Sequence, residues 1–92
     1  MRFLLIEDDA QAAAYLVKGL KESGHLADHA ADGEDGLNLA LGGAYDAAIV
    51  DRMLPRMDGL SVVSRLREAG NQTPVLFLSA LGEVDDKVRG LK

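Results

Sequence analysis

The sequence contains no cysteine, which excludes a disulfide scaffold, a thiolate zinc site and a cysteine nucleophile. Positive charge is scarce: Lys and Arg number 10 against 15 Asp and Glu, a formal net charge of -5. That balance argues against holding a phosphate backbone or an anionic lipid surface, which needs a positive face. Direct nucleic-acid binding and membrane binding by this segment are therefore not expected. No apolar run approaches membrane-spanning length, and Met1-Arg2-Phe3-Leu4-Leu5-Ile6 meets carboxylates at residue 7, too early for a secretory signal. A cytoplasmic location is the expectation. Repeats, linkers and low-complexity tracts are missing too. What remains is 92 residues, 48% hydrophobic and 27% charged, enough for one domain over residues 1–92 and one core.

Within that domain, apolar runs alternate with amphipathic stretches, the pattern of parallel βαβ units. Phe3-Leu4-Leu5-Ile6 is continuously apolar, as expected of a strand covered on both faces, and it ends at Glu7-Asp8-Asp9. Ala13, Leu16, Val17 and Leu20 recur at helical spacing and stop at Ser23-Gly24. His25 to Ala30 is a weaker strand. Leu37, Ala40 and Leu41 form a short helical stripe closed by Gly42-Gly43. Ala47 to Val50 is a third strand that delivers Asp51, and Val62, Val63, Leu66 and Ala69 are the buried side of a third helix. Pro74 to Leu78 is a fourth strand delivering Ser79, and Val84, Val88 and Leu91 predict a fourth helix. The fold class is α/β, a doubly wound parallel sheet. Right-handed crossovers gather its strand C-termini at one edge, where such sheets bind ligands.

Three polar groups reach that edge: Glu7-Asp8-Asp9, Asp51 and Ser79. Asp8 follows the first strand and Asp51 ends the third, which are neighbours in a doubly wound sheet. Two carboxylates about 4 Å apart repel by about 4 kcal/mol at an effective dielectric of about 20. A proton or a divalent cation must offset this. Acids without His or Cys among them make a hard oxygen site that suits Mg2+. Asp51 is already ionised at neutral pH and needs no general base to attack phosphorus and form an acyl phosphate. Ser79 offers a hydroxyl to a phosphoryl oxygen. Asp9 and Asp58 read as helix caps, and Gly59 permits a backbone shape beside the site that a Cβ would obstruct. His25 and His29, about 13 Å apart along a strand, cannot share one metal and are assigned to surface or packing. A nucleotide-binding or phosphatase enzyme is disfavoured, because no Gly-rich loop follows the first strand and no Asp stands two residues after Asp51.

Phe3-Leu-Leu-Ile-Glu-Asp-Asp9, Tyr45-Asp-Ala-Ala-Ile-Val-Asp51, Met53-Leu-Pro55, Met57-Asp-Gly59 and Pro74-Val-Leu-Phe-Leu-Ser-Ala80 occur in order along the chain. Together they resemble the receiver domain of two-component response regulators. The resemblance implies a flavodoxin-like sheet and Asp51 as phospho-acceptor. It implies a Mg2+ site made by the acidic pair Glu7 and Asp8 with Asp51 and the backbone carbonyl of Met53. It makes Ser79 the switch hydroxyl, Ala80 the small residue beside the phosphate, and a sensor histidine kinase the phosphoryl donor. Residues 80–91 resemble the subclass with a winged-helix DNA-binding domain downstream. Such a module switches an output and is not a turnover enzyme. The fifth strand and fifth helix of the family, and the Lys that follows that strand, have no counterpart here. The expectation is thus a truncated receiver with sheet order 2-1-3-4. The alternative is a fragment that keeps the fold and metal site, is impaired in switching, and self-associates as a homodimer through the raw edge of its fourth strand.

Overall fold

The apolar runs become strands, and each of the first three strands leads into a helix. The computed structural model describes residues 1–78. In order these are β1 (Arg2–Ile6), α1 (Ala10–Glu22), β2 (Leu26–Ala30), α2 (Gly33–Gly42), β3 (Ala47–Asp51), α3 (Gly59–Glu68) and β4 (Val75–Leu78). The strands form one parallel sheet in the order β2-β1-β3-β4, the doubly wound arrangement expected. The fourth helix expected around Val84, Val88 and Leu91 lies outside the described residues.

Three aspartates mark the corners where the chain enters a helix. The Asp9 carboxylate accepts the N–H groups of Gln11 and Ala12 at 2.9 and 3.2 Å. Asp32 accepts from Asp35 at 2.8 Å, and Asp58 from Ser61 at 2.8 Å. An N-cap of this kind stabilises a helix by about 1 kcal/mol, because it satisfies an N–H group that the helix itself leaves open. The caps expected at Asp9 and Asp58 are therefore both formed.

The parallel register stacks Leu4 beside Ala48 and Ile6 beside Val50, and then Ala48 beside Val75 and Val50 beside Phe77. These side chains share one face of the sheet. Leu37 and Ala40 of α2 and Val62 and Leu66 of α3 close over that face. Leu4, Ile6, Val50, Val62 and Leu66 are fully buried, each stabilising the fold by about 1.5–3 kcal/mol relative to exposure. Leu5 alternates to the opposite face, that of α1, and is also fully buried.

Two expected core positions move to the surface. Leu41 is 47% exposed, and the buried stripe of α2 is Gly33, Gly36, Leu37 and Ala40 instead. Gly36 sits so close to Ile6 that a Cβ there would stand 2.4 Å from Ile6 Cδ1. Ala69 ends α3 as its C-cap and is exposed. At the N-terminal end of the sheet, Arg2 bonds the Asp28 carboxylate at 2.9 Å and the Tyr45 hydroxyl donates to it at 2.7 Å. The Arg2 guanidinium lies 4.7 Å from the centre of the Tyr45 ring. This cluster ties β1 and β2 to the start of β3, and the Tyr45 and Arg2 bonds hold the Asp28 carboxyl below its ordinary range.

Candidate functional site

At the C-terminal edge of the sheet, the pairing of Ile6 with Val50 sets the residues that follow β1 beside the last residue of β3. One carboxylate oxygen each from Glu7, Asp8 and Asp51 lie within 4.8 Å of one another. Glu7 is buried, Asp51 half-buried and Asp8 exposed. The sequence reading brought Asp8 and Asp51 together from strand adjacency, and that juxtaposition is present. Ser79 and Ala80 lie outside the described residues.

Each acid is held differently. The Glu7 N–H continues the sheet by donating to Ala30 O at 3.0 Å, so its side chain turns inward beside the strand ends. The Glu7 carboxylate accepts the Asp9 N–H at 3.0 Å. Asp51 Oδ1 accepts the N–H of Met53 at 3.0 Å, which fixes one of its oxygens against the first turn of the loop after β3. Gly59, the first residue of α3, lies beneath that turn. A Cβ there would stand 2.3 Å from Asp51 O and 2.9 Å from Arg52 Cα, so the obstruction expected from the sequence is real.

Burial pushes the Glu7 carboxyl up to about 7. The Asp9 N–H works against this by favouring the charged form, and the neighbouring Asp51 and Asp8 carboxyls add to the rise. The metal-free site thus keeps a proton near neutrality. Oxygen ligands around Mg2+ lie about 3 Å apart when adjacent and about 4.2 Å apart when opposite, for metal–oxygen distances of about 2.1 Å. A carboxylate cluster no wider than 4.8 Å reaches that geometry by small side-chain rotations. The donor set is all oxygen, which matches a hard cation.

His29 was missed as a neighbour of the site. Its Nε2 lies 2.7 Å from the backbone carbonyl of Glu7, where an Nε2–H donates to that oxygen. Only the register of β2 against β1, which pairs Leu5 with His29 and Ile6 with Ala30, brings it there. No spacing along the chain signals such a contact. His25 instead lies 3.2 Å from the terminal amine and packs edge-on against Phe3.

Among the described residues, a parallel sheet carries three acids crowded at its C-terminal edge, and comparison with known proteins assigns the chain to a family of signalling modules. The chain belongs to the response regulator receiver domain family, whose model matches residues 3–92. It is 48% identical over 91 residues to the transcriptional regulatory protein PcoR of Escherichia coli, covering 99% of this chain and 40% of that protein. It is 49% identical over 92 residues to the transcriptional activator protein IrlR of Burkholderia pseudomallei, again covering 40% of its length. The chain therefore spans about two-fifths of the curated relatives it matches. Among solved structures, the receiver domain of the Francisella response regulator 1452 superposes with a TM-score of 0.84 at 34% identity, covering 98% of this chain and 74% of that one. The response regulator TrrA of Thermotoga maritima, solved in complex with Mg2+-BeF, superposes with a TM-score of 0.82 at 29% identity, covering 89% of this chain and 71% of that one. Among the described residues, no helix is long and apolar enough to cross a membrane.

The raised Glu7 carboxyl carries a pH signature. An unfolded Glu releases its proton near 4.5, whereas the folded protein holds it up to about 7. The folded state binds more protons at Glu7 across that window, so the Glu7 contribution to metal-free stability is greatest below about 4.5 and is lost as pH rises to about 7. Thermal melts in chelator from pH 4.5 to 8 should show this decline in the wild type and a shallower one in Glu7→Gln. Parallel curves for the two proteins would contradict the assignment.

Proposed function

We infer that this segment is the phospho-accepting module of a two-component response regulator. In this reading Asp51 takes a phosphoryl group from the phosphohistidine of a sensor histidine kinase, with Mg2+ bound beside it. The observation that carries the reading is the convergence of Glu7 and Asp8, at the end of β1, on Asp51 at the end of β3. Asp8, Asp51 and the backbone carbonyl of Met53 would hold the cation, with Glu7 completing the acidic cluster. Bound there, Mg2+ would neutralise charge on the transferring phosphoryl oxygens.

The protein's own residues do the rest. Met53 N–H occupies Asp51 Oδ1, which orients the carboxylate and leaves its other oxygen for attack. That oxygen forms a bond to phosphorus as the phosphorus–nitrogen bond of the phosphohistidine breaks. The imidazole nitrogen keeps the bonding pair and takes a proton from water. No general base is required, because a carboxylate nucleophile has no proton to give up on attack. By the sequence match, the Ser79 hydroxyl would donate to a phosphoryl oxygen and Ala80 would leave space beside it. The relatives named above are transcriptional regulators, which supports a DNA-binding output elsewhere in the parent protein and a cytoplasmic site of action. The net charge of -5 argues against this segment holding a phosphate backbone itself.

The test is the intact mass after incubation with acetyl phosphate. Wild type with Mg2+ should gain one phosphoryl group that hydroxylamine removes. Asp51→Asn, or wild type in chelator, should gain none. A phosphorylated Asp51→Asn protein would contradict Asp51 as acceptor.

A second property has its own observation. Among the described residues β4 pairs only with β3, and Leu76 on it is 64% exposed. An apolar strand whose outer edge is unpaired among the described residues can template another strand, and the partner inferred is a second copy of the chain. Sedimentation velocity across a hundredfold concentration range should show dimer growing with concentration, and Leu76→Lys should suppress it. A monomer throughout would exclude this association.

A further inference from the structure

The loop of residues 52–58 carries Met53 and joins β3 to α3, yet α2 seats it. Gly33, the first residue of α2, is buried against this loop. A Cβ at that position would stand 1.8 Å from the carbonyl oxygen of Met57 and 2.7 Å from its carbonyl carbon. Those are backbone atoms, so no side-chain rotation could relieve the overlap. Gly33 does not have a positive φ, so glycine is needed here for space and not for its conformational range. Its N–H donates to Pro55 O at 3.3 Å.

The neighbouring contact points the same way. The Arg56 guanidinium Nε lies 3.6 Å from one oxygen of Asp32, whose other oxygen caps α2 through the Asp35 N–H. Arg56 has φ 69°, the one positive φ outside glycine among the described residues. A residue other than glycine stays in that sparsely populated region when its surroundings hold it there. At its other end the loop is bonded to the site, since Met53 N–H donates to Asp51 Oδ1.

We propose that Gly33 is a positioning residue for the acidic site, its missing side chain letting the N-terminus of α2 seat the loop that orients Asp51 and presents the Met53 carbonyl. The proposal rests on the reading of Asp51 and Met53 given above. A side chain at residue 33 must push Met57 and Pro55 outward, and the displacement passes along a short loop to Met53. Displacements of about 1 Å at a reacting group cost about a hundredfold in rate, and loss of a group that orients a metal ligand costs about 10- to 100-fold in affinity.

The experiment compares wild type, Gly33→Ala, Arg56→Gln and the control Gly19→Ala, whose added Cβ would meet nothing within 4 Å. Two quantities are read below each protein's melting range: the Mg2+ dissociation constant by calorimetry, and hydrogen exchange of the Met53 N–H in chelator. Gly33→Ala should weaken Mg2+ binding by about tenfold or more and speed Met53 exchange, while Gly19→Ala matches wild type. Arg56→Gln separates positioning from charge. Removing the Arg56 cation would by Coulomb's law alone act only to tighten Mg2+ binding, whereas loosening the loop should weaken it about two- to fivefold. If Gly33→Ala does not fold, the direction of the Arg56→Gln change decides. Wild-type affinity and Met53 exchange in Gly33→Ala, or tighter binding in Arg56→Gln, would overturn the proposal. Wild type that binds no Mg2+ would instead sink the metal-site reading, and Met53 exchange in chelator would still judge the role of Gly33.

Discussion

Forced proximity of like charges is the constraint from which the rest of this molecule follows. Ile6 and Val50 are fully buried neighbours in a parallel sheet, and the residues after them have nowhere to go but the same edge. The hydrophobic core thereby holds Glu7, Asp8 and Asp51 together against their mutual repulsion. Without metal, burial first and the neighbouring Asp51 and Asp8 carboxyls second raise the Glu7 carboxyl to about 7, which favours a retained proton there. A divalent cation would relieve the repulsion by coordination. The same geometry that makes the acids costly for the fold makes them suited to hold a cation beside a carboxylate nucleophile.

Precision at this edge comes from places where side chains are missing. Gly59 lets α3 start directly under Asp51 and Arg52, Gly33 lets α2 press on the loop that follows, and Gly36 lets α2 pack close on Ile6. Each is buried, and each brings one backbone within contact distance of a strand or loop that carries the site. Aspartates then fix the helix starts: Asp9, Asp32 and Asp58 cap the three described helices. Close packing and capping thus fix where α2, α3 and the 52–58 loop meet the strand end that carries Asp51.

Much of this was legible in the sequence because the signals were strong and local. Phe3 to Ile6 and Pro74 to Leu78 are continuous apolar runs, as strands of a parallel sheet are, although Leu76 in the second is 64% exposed. Placing Asp8 beside Asp51 needed only the rule that a doubly wound sheet gathers its strand C-termini at one edge. What stayed hidden is what periodicity does not encode. Leu41 looked like part of a buried stripe, but the stripe runs through Gly33 and Gly36, which carry no hydrophobic signal. Gly33 itself meets a loop more than 20 residues away in the chain. His29 reaches Glu7 only through strand register. The Asp32–Arg56 pair crosses between two βα units, and no spacing along one element foretells such a contact.

The central claim is that the ends of β1 and β3 form one cation site, and it is tested most directly by substituting Mn2+ for Mg2+ and recording amide NMR spectra. Paramagnetic broadening falls off steeply with distance from the metal. The account expects selective loss of the amide signals of residues 7–9 and 51–53 at low Mn2+, with α1 Gly19 and the Arg2 end of the sheet spared. Asp51→Asn should restore those signals. Broadening spread over the acidic surface, or centred away from Asp51 and unchanged by that substitution, would contradict it.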